Sequence, residues 1–143
     1  MRVLLVKPEF NNVFTKLSLI RTEPLELEYM YAICKNNNVE VKICDLTIGG
    51  SLKKELKRFN PDIVAITANF VHIYSVEKYI KLIKNYNKKI LTIVGGPHAE
   101  VKPEDFYYIN GIDVISYSGG FKPFEKIQRD RETTMIITNR KIS

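Results

Sequence analysis

The sequence predicts an α/β domain built on a doubly wound parallel sheet. Three observations carry this. Five apolar runs rich in β-branched residues recur at 3–6, 39–44, 63–67, 90–94 and 112–116. Most are continuous rather than alternating, which is the pattern of strands buried on both faces. Helical spacing fills the segments between them, so strand and helix alternate along the chain.

The first strand, Val3-Leu4-Leu5-Val6, ends at Lys7-Pro8 and is followed by a long connection, 11–21. A loop of that size in a compact domain is more often functional than idle. The first helix spans 25–34 and is expected to bury Leu25, Tyr29, Ala32 and Ile33 along one face. After the second strand, Ser51 is the expected N-cap of a helix carrying Leu52, Leu56 and Phe59. After the third, Ser75 is expected to cap a helix carrying Val76, Tyr79, Ile80 and Ile83. Pro103-Glu104-Asp105 opens a short helix, with proline early and acids in the first turn. A last helix is expected at 123–129, and 135–138 resembles an edge strand. Five strands in this length imply a flavodoxin-like (Rossmann-like) sheet of order 2-1-3-4-5. Residues 1–129 then form the domain and 130–143 a tail or edge segment.

At 143 residues the chain is one domain's worth, long enough for a real core. No stretch approaches the roughly 20 apolar residues that span a bilayer. The N-terminal apolar run is too short for a signal-peptide core, so no membrane partner and a cytoplasmic location are expected. Cys34 and Cys44 sit in apolar segments without CxxC spacing and read as buried free thiols. Two Cys and two His cannot assemble a zinc or iron–sulfur constellation, so no metal ligands are assigned. The net charge is +6, but the lysines are scattered over solvated helix faces: Lys53, Lys54 and Lys57 on one helix, Lys78, Lys81 and Lys84 on another. Nucleic-acid binding is not expected from such scatter.

In doubly wound sheets ligands sit at the carboxyl ends of the strands, so the residues there are informative. They are Lys7-Pro8-Glu9, Asp45 to Gly50, Thr67-Ala68-Asn69, Gly95-Gly96-Pro97-His98 and Ser116-Tyr117-Ser118. This rim is rich in glycine and hydroxyls and poor in charge. Gly95-Gly96 either lets a large ligand approach the backbone or serves only the turn after its strand. His98 follows directly and lies at the rim, within reach of a ligand. Paired acids for phosphoryl acceptance, a P-loop, a GxGxxG fingerprint and a GxSxG elbow are all absent, and no catalytic residue is assigned. A nucleotide or flavin binder would need a glycine-rich loop after the first strand, and the stretch there is poor in glycine.

Several stretches carry a family likeness. The chain opens Met-Arg-Val-Leu-Leu-Val-Lys-Pro, and Glu23-Pro24-Leu25-Glu26-Leu27-Glu28-Tyr29-Met30 starts its first helix. Asn60-Pro61-Asp62-Ile63-Val64 follows, then Ile93-Val94-Gly95-Gly96-Pro97-His98-Ala99. Over 1–127 the chain resembles the cobalamin (vitamin B12)-binding domains found at the N-terminus of B12-dependent radical SAM enzymes. Relatives of the mutase type carry DxHxxG, SxL and GG; Asp45 to Gly50 fits the first with Thr47 in place of histidine, Thr67-Ala68-Asn69 stands at the second, and Gly95-Gly96 matches the third. The resemblance implies a corrinoid-binding module whose cofactor is held base-off, without a histidine below cobalt, and presented to a radical SAM or methyltransferase partner. It implies cofactor contacts from Pro8, Asp45, Thr47, Gly50, Thr67, Asn69, Gly95, Gly96, His98 and Tyr117, with Thr67 bonding the benzimidazole tail. The family's acidic turn after the fifth strand is Tyr117-Ser118-Gly119-Gly120 here, and no CxxxCxxC motif for an iron–sulfur cluster occurs. The alternative reading is an interaction domain of the same fold that no longer binds cofactor.

Overall fold

A computed structural model describes residues 1–9, 25–69 and 72–117. Its strands are β1 (Arg2–Lys7), β2 (Glu40–Asp45), β3 (Ile63–Thr67), β4 (Leu91–Gly95) and β5 (Val114–Ile115). All pair in parallel, in the order β2-β1-β3-β4-β5. The expected fold class and strand order are therefore those observed. The helices are α1 (Leu25–Asn36), α2 (Leu52–Phe59), α3 (Ile73–Tyr86) and α4 (Pro97–Val101), with single 3₁₀ turns at Leu46–Ile48 and Pro103–Phe106.

Alternate residues of each strand point to opposite faces, and both faces are covered. Leu4, Val6, Val64, Ile66 and Val94 pack against Leu52 and Leu56 of α2, Val76, Ile80 and Ile83 of α3, and Phe106. Val3, Leu5, Ile63, Ala65 and Ile93 pack against Leu27 and Cys34 of α1. This double burial is why the strands read as unbroken apolar runs; all five residues of β3 are buried. Both cysteines are buried and neither is in a disulfide, and burial chiefly pushes the Cys44 thiol up to about 11.

Helix boundaries follow capping chemistry. Ser51 caps α2 as expected, its hydroxyl accepting the Lys54 N–H, and Asn60 closes the helix in the left-handed conformation with φ +46°. Two expectations are corrected. Helix α3 starts at Ile73, with Ser75 buried inside its first turn rather than capping it. The His72 N–H bonds the Asn69 carbonyl, and the Asn69 N–H bonds His72 Nδ1 at 3.0 Å, so the turn forms before Ser75 is reached. Helix α1 buries Leu27, Ile33 and Cys34 and leaves Leu25, Tyr29 and Ala32 exposed. Leu27 and Cys34 lie two turns apart, a stripe as periodic as the expected one. A short α4 begins directly at Pro97, whose ring pre-sets φ for a first helical residue, and the turn at Pro103 is 3₁₀. The expected segments at 123–129 and 135–138 lie outside the described residues, as does the connection 11–21.

Among the described residues, no helix is long and apolar enough to cross a membrane.

Candidate functional site

The parallel sheet brings the five strand ends to one edge. At the end of β2, Asp45 caps the 3₁₀ turn, and its Oδ1 accepts both the Thr47 N–H (2.8 Å) and the Thr47 hydroxyl (2.5 Å). On the neighbouring strand, in register with Asp45, stands Lys7, its Nζ 3.7 Å from Asp45 Oδ2. Both side chains are largely buried, so the pair is poorly screened. Gly49 turns the chain with φ +89°, and a Cβ there would meet nothing within 4 Å. At Gly50 a Cβ would lie 2.5 Å from the Asp45 carbonyl oxygen, so this glycine is required by its own turn. Pro8 is buried at the end of β1.

At the centre of the edge Thr67 ends β3. Its hydroxyl donates to Glu26 Oε1 at 2.5 Å, across 41 residues of sequence. Glu26 lies in the first turn of α1, so that helix reaches over the β3 end. Beyond it, Ala68 donates its N–H to the Gly95 carbonyl and accepts the His98 N–H. Asn69 is exposed. These bonds draw the β4–α4 turn tightly onto β3. A Cβ on Gly96 would lie 2.6 Å from Thr67 Oγ1 and 2.8 Å from the Ala68 nitrogen, while one on Gly95 would make only ordinary contact with Ser116 at 3.5 Å. Of the double glycine, then, Gly96 is demanded by the fold and Gly95 is not. Tyr117 is exposed just past β5.

The two histidines are engaged inside the fold. His98 is only 3% exposed; its Nε2 lies 2.8 Å from Asp105 Oδ2 and its ring stands edge-on to Phe106. Lys102, and then His98, hold the Asp105 carboxyl below its ordinary range. His72 is 2% exposed, and burial, with a smaller contribution from the Lys7 charge, lowers its pKa to about 4. Among the described residues no three His, Cys, Asp or Glu side chains converge as a metal site.

The structure thus gathers Asp45, Thr47 and Gly50 at one point of the edge and Thr67, Gly95 and Gly96 at another, with Pro8 on the strand between. It leaves Asn69 and Tyr117 exposed and buries the His98 ring against Asp105 and Phe106. The contacts of Glu26 with Thr67 and of Lys7 with Asp45 were not expected from the sequence. Lys7 was legible as the residue before Pro8. For Glu26 the signal was only an acid in a helix's first turn, which is commonplace.

A family model for the B12 binding domain matches residues 18–127. An uncharacterized methyltransferase from Pyrococcus horikoshii is 33% identical over 109 residues, which are 73% of this chain and 23% of that protein. The chain thus spans under a quarter of that relative's length. The parallel sheet, its glycine turns and the match over most of the chain lead to one conclusion: this chain belongs to the B12-binding domain family.

Proposed function

We propose that the chain is a corrinoid-holding module that takes its cofactor base-off, with no histidine beneath cobalt, and presents the upper cobalt face to a methyl-transferring partner of the radical SAM or methyltransferase kind. The residues fit such a group. Where DxHxxG relatives carry imidazole stands Thr47, a poor cobalt ligand whose hydroxyl is already bound to Asp45. The rings of His72 and His98 are engaged elsewhere. A cofactor seated here is held by its periphery and tail rather than through its metal. When bound, a corrinoid supplies cobalt as the carrier of the methyl group, and the protein supplies binding and orientation.

In this reading Asp45, Thr47 and Gly50 meet the corrin margin at the β2 end, with Pro8 and Tyr117 flanking it. Asn69 offers its amide at the rim, and Thr67 with Gly95 faces the nucleotide tail. Gly96 and His98 act as positioning residues: the glycine permits, and the His98 N–H fixes, the close approach of the β4–α4 turn to β3. The observation that carries the reading is the Asp45–Thr47 pair, a rim that keeps the family's aspartate and replaces its metal ligand.

One observation favours the alternative, a domain of the same fold that no longer binds cofactor. The Glu26 carboxylate occupies the Thr67 hydroxyl, and has to move aside before Thr67 can reach a ligand. A single experiment decides between the two. The purified chain is incubated with hydroxocobalamin under reducing conditions, passed through gel filtration and read by its corrin absorption. Stoichiometric retention supports the module; an uncoloured protein at corrinoid concentrations well above micromolar rejects it.

A further inference from the structure

We infer that the groove between α2 and α3 is a docking site for an acidic amphipathic helix of the polypeptide this module serves; the identity of that polypeptide, though not the groove, rests on the function proposed above. The groove encloses about 630 Å³ on the outer surface of the two helices, and none of the strand-end residues named above, Asp45 and Thr67 among them, lines it. Four lysines line it: Lys53 and Lys57 from α2, Lys78 and Lys81 from α3. Lys53 and Lys57 are four residues apart and share one helix face. Neither makes an ion pair among the described residues, whereas Lys42, on β2, is paired to Glu55 on the same helix at 2.6 Å. The groove's single acid, Glu77, is held by Lys81 at 2.7 Å. Lys78 lies 3.9 Å from Glu9, so the uncompensated charge of the lining is that of Lys53 and Lys57, on a chain whose net charge is already +6. Both helices also direct their N-termini, the positive ends of their dipoles, toward the strand-end edge.

Charge alone describes a solvated face; the floor argues for an occupant. The half-buried Leu82 forms its base, with Leu56 almost fully covered beneath. Tyr74, 80% exposed, stands at the strand-end side, and Tyr86 stands at the other. Exposed tyrosines flanking an apolar floor with a cationic border match an amphipathic helix with an apolar stripe between acidic flanks. A nucleic acid would use the lysines and leave the leucine floor bare, since its backbone presents only charge to a protein groove. At 14 residues α3 is about 21 Å long, which sets the length of helix that fits. Because α3 starts only a few residues past β3, a helix docked beside Tyr74 ends next to the strand-end edge. The groove would therefore bring a partner to the place where the corrinoid is proposed to sit.

The test uses a fluorescein-labelled synthetic helix of leucines flanked by glutamates, titrated by anisotropy at low and at raised salt. The wild-type chain should bind it, more weakly as salt rises. The double variant Lys53→Glu/Lys57→Glu should lose at least about tenfold in affinity, while Lys35→Glu/Lys89→Glu, with the same charge change outside the groove, should lose far less. Equal losses in the two double variants, no binding at low salt, or a DNA duplex that displaces the peptide at lower concentration each overturn the inference. Corrinoid retention is measured on the same samples. Retained corrinoid without peptide binding rejects the groove alone, and peptide binding without corrinoid rejects only the proposed cofactor.

Discussion

Gly96 has φ +97° and ψ −179°, a backbone region that only glycine occupies freely, and it sits against the end of β3. Gly96→Ala is expected to be costly for two separable reasons. Holding a non-glycine residue in that region costs on the order of 1–3 kcal/mol. The added Cβ would also lie 2.6 Å from Thr67 Oγ1 and 2.8 Å from the Ala68 nitrogen. One of those atoms is backbone, so relief requires opening the Ala68–Gly95 and His98–Ala68 hydrogen bonds. Overpacking of this kind costs roughly 1–3 kcal/mol. Together the expected loss is about 2–6 kcal/mol, or on the order of 10 °C in Tm for a chain of this size. Gly95→Ala is the internal control: its Cβ meets Ser116 at an ordinary 3.5 Å, so less than about 1 kcal/mol should be lost. Urea unfolding followed by circular dichroism measures both. A Gly96→Ala protein within about 0.5 kcal/mol of wild type, or equal losses in the two variants, would refute this division of labour between adjacent glycines.

Three further outcomes are expected. His72 is neutral when folded, with its pKa lowered to about 4, and takes up a proton near 6.5 when unfolded. The unfolded state then binds more protons across that window, so stability should fall by roughly 2–3 kcal/mol as pH drops from about 6.5 to about 4, and His72→Asn should flatten that slope in pH-dependent denaturation. Asp113 accepts the Thr92 N–H at 2.8 Å and pairs with Lys84 at 2.6 Å; Asp113→Ala strands the fully buried Thr92 amide and should cost roughly 2 kcal/mol in urea titration. Glu26→Ala removes the group that occupies the Thr67 hydroxyl. If Thr67 serves the corrinoid tail, the variant should bind corrinoid about tenfold more tightly by absorbance titration, whereas unchanged or weaker binding counts against that role for Thr67.

The sheet was legible because burial on both faces writes each strand as an unbroken β-branched run, strand–helix alternation makes the strands parallel, and five strands in this length point to the order β2-β1-β3-β4-β5. Helix faces were less legible. In α1 the stripe through Leu25 and Tyr29 is as periodic as the buried one through Leu27 and Cys34, and only the position of the sheet decides between them. Ser75 has the chemistry of a cap, but the local bonds between Asn69 and His72 start the helix sooner. The placement of Asp45, Thr47, Gly95 and Gly96 at one edge could be read directly because strand ends converge in any doubly wound sheet. The reach of Glu26 to Thr67 could not, since the two are 41 residues apart and meet only when α1 is laid over β3. The direction of the His98 ring was equally hidden, being set by Asp105 and Phe106 in the turn that follows.

The most direct test of a corrinoid held base-off and without histidine is the electron paramagnetic resonance spectrum of the chain loaded with cob(II)alamin. An axial nitrogen splits each cobalt line, into a triplet when it is ¹⁴N and into a doublet when it is ¹⁵N. The spectrum should show no nitrogen splitting, whether the protein is unlabelled or ¹⁵N-labelled, if Thr47, which offers no nitrogen, stands below cobalt as proposed; the rings of His72 and His98 are engaged elsewhere. A triplet unchanged by labelling would mean that the cofactor's own base stays on cobalt, and a doublet in the labelled protein would mean that a histidine of this chain binds it. Either result would contradict the proposed binding mode.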